Sequence, residues 1–351
     1  RACRAGCPWQ AALLLLDQMW ATETEAAGPT ARDYEHVAAL CEGAGAEPVA
    51  ARLRGEVAQW GRRSPGEAPR FQVVPPFMYG SQFRGLRCSV RNHVPWGLGE
   101  AVPAAPERPC WFLPASDELA VEIARRQDEV RGAGWRVLTC DPDIVTRLDN
   151  KYKLRRFAED IGLASSLPLH YSAVVDARYP CILKPAVGAY GSGASIVNST
   201  DDVYGVIHDS ELEPRWVLQE LIPGPLERST SLLVEEGDVL DAVTIEYEYD
   251  SAAYIWPRVR EVSKRLHDAD PSHLDVMRQF LEGYSGICNF NYKLREGGGM
   301  CILEANPRIG ADLAGDVPRE RARELFELLD SRCGGRGGAR AACDGASRDA
   351  L

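Results

Sequence analysis

Apolar and polar positions divide this chain into zones of different period. Residues 1–61 read as helical. Trp9 to Met19 is built from strong helix formers, Gly28 and Pro29 mark a loop, and a second helix is expected around Tyr34 to Cys41. Gly43 and Gly45 punctuate, and Val49 to Trp60 resumes as helix. Ala12, Leu15 and Met19 align with Ala50, Leu53 and Val57, one internal echo at a spacing of 38 residues. Residues 62–109 are rich in Pro, Gly and Arg and predict an irregular linker.

From Cys110 the pattern becomes strand and helix in alternation. Trp111 to Pro114 predicts a strand, Ser116 caps a helix from Asp117 to about Arg131, and Trp135 to Cys140 predicts the next strand. That β-α-β run over 110–148 predicts a partial parallel sheet. Further on, strands are expected at Cys181–Ala186, Ala194–Asn198, Trp216–Ile222, Ser229–Val234, Val239–Tyr249, Gly286–Leu294 and Met300–Arg308. Glu236-Gly237-Asp238 is a hairpin signal between two of them. Residues 331–351, with Gly334-Gly335-Arg336-Gly337-Gly338, carry too few apolar side chains to fold and predict a disordered tail.

Composition narrows the classes. Hydrophobic residues make up 45% and charged residues 26% of the 351, enough for a buried core and for more than one domain. The formal net charge of −11 opposes a non-specific grip on nucleic acid or on an anionic membrane, though not the binding of one nucleotide by a few local donors. The longest early apolar run, Ala11 to Leu16, is too short to span a bilayer. Eleven scattered cysteines form neither a disulfide framework nor a zinc tetrad; Cys3 and Cys7 are the one close pair. Reduced core cysteines predict an intracellular location, cytoplasmic or organellar. The sequence starts at Arg1 with no Met, which predicts a truncated start and leaves targeting open, as oligomeric state is open.

The candidate chemistry lies between 181 and 308. Cys181-Ile182-Leu183-Lys184-Pro185 leads into a loop with Gly188, Gly191, Ser192 and Gly193, and the loop leads into a second strand. A Rossmann fingerprint or a Walker A loop leads into a helix instead, so neither is present. Glycines between two strands suit a flap whose N–H groups close over phosphates, although a plain turn has the same composition. Lys184 shares a strand face with Ile182 just before that loop, a placement that favours a phosphate contact over a lysine snorkelling to solvent. Gln219-Glu220-Leu221-Ile222 ends a strand in an extended turn suited to an adenine edge, and equally to a buried strand end. Asn291 and Glu304 are expected to face each other across a hairpin, with Asn306 on the same face, a partial oxygen shell for Mg²⁺. Arg308 follows, placed to neutralise a transferring phosphoryl group. Arg258, Arg260 and Lys264 are lesser candidates, with a solvated basic loop as the competing reading.

Together these motifs resemble the ATP-grasp superfamily, in particular its carboxylate–amine ligases and the synthetase domains of carbamoyl-phosphate synthetase, over about half the chain. Asp149-Asn150-Lys151 looks like the start of the ATP-binding unit, with Lys151 its nucleotide-contacting lysine. Lys184 matches the second lysine, Gly188 to Gly193 the phosphate flap, and Gln219 to Ile222 the adenine hinge. Glu304-Ala305-Asn306-Pro307-Arg308 is the most specific match. The resemblance implies that Glu220 C=O and Ile222 N–H meet the base, that Glu227 meets the ribose, and that Asn291, Glu304 and Asn306 hold Mg²⁺, or Mn²⁺ in its place. Residues 112–131, with Ser116-Asp117-Glu118, look like the region that precedes ATP-grasp in this group.

The expected architecture is therefore α/β (α+β): an ATP-grasp fold over 149–330, a partial parallel α/β region before it, and a small helical extension. The expected activity is ATP- and Mg²⁺-dependent activation of a small carboxylate as an acyl-phosphate for attack by an amine. Lys184 and Arg308 are its catalytic candidates, ATP and the carboxylate its ligands, and neither nucleic acid nor membrane is a partner. Two departures stand out: Asn291 where the superfamily usually has Asp, Glu or Gln, and the lack of clear strands before Cys110. They motivate a second reading, a catalytically degenerate ATP-binding protein. The helical echo resembles pentatricopeptide helix pairs and motivates a third, an RNA-binding repeat protein; a helical extension alone explains the same residues.

Overall fold

The structure is a computed structural model and describes residues 12, 31–43, 47, 49–51, 53–54, 70–74, 90–91, 96–188, 191, 193–208, 212–256 and 258–333. The chain divides into two compact units. One comprises residues up to 119, 126–138 and those from 318; the other comprises 120–125 and 139–317.

In the first unit, helix α1 (Ala31–Gly43) buries Tyr34, Val37, Ala38 and Cys41, a one-sided stripe, against Ala12, Ala50 and Leu53. Leu15, Met19 and Val57, the other echo positions, lie outside the described residues. A three-stranded parallel sheet runs in the order β2-β1-β3, with β1 at Phe71–Val74, β2 at Val90–Arg91 and β3 at Trp111–Pro114. Two of these strands fall where the sequence predicts an irregular linker. The reason is physical: β1 is buried at all four positions between parallel partners, so it lacks the alternation that marks a half-exposed strand. The strand expected over Trp135–Cys140 reduces to a single bridge between Arg136 and Trp111. The helix expected over 117–131 breaks at Arg126 (φ −111°, ψ 24°) into α2 (Asp117–Arg125) and α3 (Gln127–Gly132). Asp330, on the helix Arg319–Cys333, ties this unit together. It accepts from Arg70 at 2.8 Å, Arg136 at 2.9 Å and Trp111 Nε1 at 3.0 Å. That helix runs three residues into the predicted tail; the rest of the tail lies outside the described residues.

The second unit opens with α4 (Pro142–Asp149), capped by Asp141, and α5 (Lys151–Asp160), whose N-cap Asn150 accepts from Tyr152 N and Lys153 N. A four-stranded antiparallel sheet follows, in the order β4-β7-β5-β6 (β4 His170–Tyr171, β5 Cys181–Pro185, β6 Ser195–Val197, β7 Trp216–Glu220). Helix α6 (Thr200–Ile207) covers one face through Val203 and Ile207, against Cys181, Leu183, Val197 and Leu218. Alternation leaves Ile182, Lys184 and Gln219 on the opposite face.

The five-stranded antiparallel sheet has the order β10-β9-β8-β11-β12. Its strands are β8 (Leu226–Glu235), β9 (Asp238–Tyr249), β10 (Glu261–His267), β11 (Gly286–Leu294) and β12 (Met300–Asn306). Glu236 and Gly237 close the β8–β9 hairpin with φ of 52° and 90°, the positive pair that a tight hairpin turn requires. One face, with Leu232, Cys288, Phe290 and Ile302, packs on Leu148 of α4, Leu154 of α5 and Phe280 of α7 (Pro271–Phe280). The other face carries Glu227, Ser229, Ser231, Asn289, Asn291, Lys293, Glu304 and Asn306. A stripe of eight polar side chains on a central sheet has no packing rationale and marks the site. No described helix is long and apolar enough to cross a membrane.

Candidate functional site

The pairing of β11 with β12 builds the centre. Asn291 opposes Glu304, yet the next residue, Tyr292, opposes Ile302, so Leu303 is the extra residue of a β-bulge. The bulge releases the Leu303 carbonyl from the ladder, and Lys184 Nζ donates to it at 3.1 Å. Asn291 Nδ2 donates to Glu304 Oε1 at 2.9 Å. From a third element, the first turn of α5, Lys151 Nζ lies 4.0 Å from Glu304 Oε2 and donates to Gly188 O at 3.1 Å. The Lys151 N–H also donates to Ala186 O at 2.9 Å, so the start of α5 is fastened to the chain that enters the glycine loop.

Charge at this centre is balanced between two lysines and one carboxylate. Burial pushes the Lys184 ammonium down to about 8, with Lys151 adding like-charge repulsion and Glu304 opposing both. Burial also works against the charge on Glu304, but Lys151 and Lys184, joined by the Asn291 hydrogen bond and Arg308, together outweigh it and hold the carboxyl below its ordinary range. The result is an anion held beside two lysines, with the buried Glu227 carboxyl also acting on Lys184.

The glycine loop is closely covered. Gly191 has φ +64°, and a Cβ there would stand 2.0 Å from the Trp256 carbonyl oxygen; a Cβ at Gly193 would stand 2.9 Å from Pro185 Cγ. Arg258 Nη2 donates to Ala194 O at 3.0 Å. Of the three lesser basic candidates, Arg258 alone reaches this loop; Arg260 pairs with Asp250 and Lys264 with Asp316. Ser192 lies outside the described residues.

At the other end, β7 closes in the segment Gln219-Glu220-Leu221-Ile222. The Glu220 carboxylate is fully engaged by Arg295 (2.8 Å to each oxygen) and Leu169 N, so what it has left to offer a ligand is main chain. Gln219 is buried on the Lys184 side of the sheet. Glu227 accepts from Tyr254 OH at 2.8 Å, and burial pushes its carboxyl up against that bond and the nearby Lys293.

Beyond Glu304 the polar face continues. Asn306 Nδ2 donates to Asn289 Oδ1 at 3.2 Å, and Arg308, buried, donates to Asn306 Oδ1 at 3.2 Å. Asn289 in turn donates to Ser229 and Asp312, and Ser231 donates to both Asp312 oxygens. Asp312 lies on the short helix α8 (Ala311–Gly315), and burial pushes its carboxyl up to about 6. Asn306 therefore shares the face with Glu304, and its Oδ1, which accepts from Arg308, keeps a second acceptor position. Lys293, Tyr254, Asn289 and Asp312 were absent from the sequence-based set. The first and third had a legible signal, since they alternate with Asn291 along β11.

The oxygens of Glu304, Asn291 and Asn306 suit a hard divalent cation that takes its remaining ligands from water and phosphate. The set holds one carboxylate and two amides. Among the described residues no group of three or more His, Cys, Asp and Glu forms a metal site, so a softer, protein-saturated centre such as structural zinc does not fit these residues.

No known family profile matches the chain. Among curated proteins it is similar to the formate-dependent phosphoribosylglycinamide formyltransferases of Salmonella typhimurium (27% identical) and Edwardsiella ictaluri (28% identical), each over 104 residues. Those matches cover 28% of this chain and 26% of the relative, so the match spans about a quarter of the length of these curated relatives. Among solved structures it is similar to carboxyaminoimidazole ribonucleotide synthase from Aspergillus clavatus, complexed with ATP (TM-score 0.47, 14% identical, 69% of this chain and 71% of that one). It is also similar to D-alanine–D-alanine ligase from Bacillus anthracis (TM-score 0.48, 14% identical, 75% and 97%). All of these relatives and neighbours are ATP-grasp enzymes.

Proposed function

We propose that residues 139–317 bind ATP with Mg²⁺ and transfer its γ-phosphoryl group to a small carboxylate, giving an acyl-phosphate that an amine or similar nucleophile then attacks. The observation that carries this reading is the convergence of Lys151 and Lys184, from separate elements, on Glu304 and Asn291 beside a glycine loop. Phosphoryl transfer asks a protein for position and for neutralisation of spread negative charge, and this arrangement offers both.

Lys151 and Lys184 contact phosphate oxygens, and the N–H groups around Gly188, Gly191 and Gly193 cover them. Gln219 to Ile222 present main chain to the base, and Glu227 accepts from the ribose. Glu304, Asn291 and Asn306 hold the cation, which when bound neutralises phosphate charge. Arg308, a few ångströms from Asn306 Oδ1, supplies a guanidinium where the carboxylate and the departing phosphoryl group meet. Water exclusion falls to the connection between β9 and β10, which already covers Gly191.

A second reading, an ATP binder without turnover, is favoured by one observation. Asn291 brings a neutral amide to the metal, with its Nδ2 already turned to Glu304. ADP release from Mg²⁺-ATP, measured with and without pooled small carboxylates and with Glu304→Ala, separates the two. Release stimulated by a carboxylate and abolished in the variant supports the ligase. Binding without stimulation by any pool supports the second reading, and no binding refutes both.

A further inference from the structure

Glu227 does not stand alone. Tyr254, on the connection between β9 and β10, donates its hydroxyl to Glu227 Oε2 at 2.8 Å. The Tyr254 ring is held from two sides: Tyr249 packs on it at 4.6 Å between centroids, and Lys293 Nζ lies 4.1 Å from its centroid. Lys293 is itself buried and has no freedom to leave. Its ammonium donates to Ile222 O at 3.3 Å and Gly224 O at 2.8 Å, the main chain just after β7. The same turn is stitched to the Tyr254 connection by Gly224 N donating to Ala252 O at 2.9 Å. One lysine thus joins the base end of the site to the tyrosine that holds the ribose carboxylate.

A carboxylate free in a cleft rotates and spreads its acceptor directions. With one oxygen pinned by a neutral donor, the other faces a set direction, and an ordered acceptor loses less entropy on receiving a hydroxyl. A ribose offers vicinal hydroxyl donors there, and a sugar lacking them leaves a desolvated carboxylate oxygen without a partner. We propose that Tyr254, braced by Lys293, is the positioning residue that aims the second oxygen of Glu227 at the ribose hydroxyls and so makes the site select ribonucleotides. This rests on the nucleotide reading of the cleft given above.

The test is calorimetric affinity of the full chain, with Mg²⁺, for ATP and for 2′,3′-dideoxy-ATP. Wild type is expected to favour ATP by about tenfold or more. Tyr254→Phe is expected to weaken ATP about tenfold and the dideoxy nucleotide by less than about twofold, with no further loss when it is combined with Glu227→Gln. Lys293→Met keeps the hydroxyl but frees the ring, and is expected to shrink the ATP preference at least about threefold. Equal losses for both nucleotides in Tyr254→Phe, an unchanged preference in Lys293→Met, or tighter ATP binding by Tyr254→Phe (the hydroxyl competing with the sugar) each overturn the proposal while leaving the nucleotide site standing. Wild type that binds neither nucleotide overturns the reading of the cleft and this proposal with it.

Discussion

Asn291 Nδ2 donates to Glu304 Oε1 at 2.9 Å across the bulged pair of β11 and β12, so a neutral side chain stands where a second carboxylate would double the attraction for a cation. Asn291→Asp brings two like charges together without metal and adds a full negative charge with it. Its thermal midpoint is expected to fall below wild type in chelator and to recover as Mg²⁺ is added. The Mg²⁺ concentration for half-maximal nucleotide binding is expected to drop about tenfold, on the order of what one added charge contributes at a partly buried site. A melting curve across a Mg²⁺ titration reads both effects, and an unchanged Mg²⁺ midpoint would exclude Asn291 from the metal site.

Lys184 titrates near enough to neutrality to be seen. Its ammonium is pushed down to about 8 by burial and by Lys151, so it is charged below that pH and loses its proton above it. ATP affinity is therefore expected to fall as pH rises through about 8, and to go on falling up to the higher pKa that bound phosphate gives the ammonium. In Lys184→Met affinity is lower throughout, and this limb is missing. Affinity measured between pH 6.5 and 9.5 decides it; a flat wild-type profile contradicts the assignment.

Gly191 has no room for a side chain. Its φ of +64° and the 2.0 Å approach of a Cβ to the Trp256 carbonyl mean that Gly191→Ala must move either the loop or the β9–β10 connection. The expected cost is about 1–3 kcal/mol of stability, from backbone strain, with a raised KM for ATP. Arg258→Ala, which removes the donor to Ala194 O, is expected to raise KM with a smaller stability loss. Denaturant unfolding paired with steady-state kinetics separates the two effects.

The network behind Arg308 predicts an opposite pH trend, in stability. Burial raises the folded-state carboxyl of Asp312 to about 6, above its ordinary value of 3.8. Between those values the folded state binds the extra proton, so this group makes stability rise as pH falls from about 6 towards 4. Asp312→Asn is expected to flatten that slope while keeping most partners. Asp312→Ala strands the Ser231 hydroxyl and Asn289 amide and is expected to cost about 2–4 kcal/mol. Urea unfolding at pH 4.5, 6 and 7 checks both.

Much of the site was legible because it lies on strands whose period is two. Asn291, Glu304 and Asn306 declared a polar face against Ala305, and Lys184 declared the facing sheet through Ile182. What stayed hidden was long-range or masked by sequence statistics. Strand β10 is almost wholly exposed and charged, as an edge strand tends to be, and so carries no hydrophobic alternation. Strand β1 is hidden for the opposite reason, being buried on both faces. The bulge at Leu303 follows from the register of two strands and leaves no mark in composition, yet it supplies the carbonyl that seats Lys184. Tyr254 meets Glu227 at a sequence separation of 27, a distance that no local pattern spans.

The claim on which the rest depends is that the Lys151, Lys184 and Glu304 convergence is a nucleotide site. Calorimetric titration of Mg²⁺-ATP into wild type, Lys151→Met and Lys184→Met tests it most directly. Saturable one-to-one binding, weakened at least about tenfold in each variant while each keeps its folded melting transition, is the predicted result. Binding that neither substitution alters, or no binding by wild type, would contradict it.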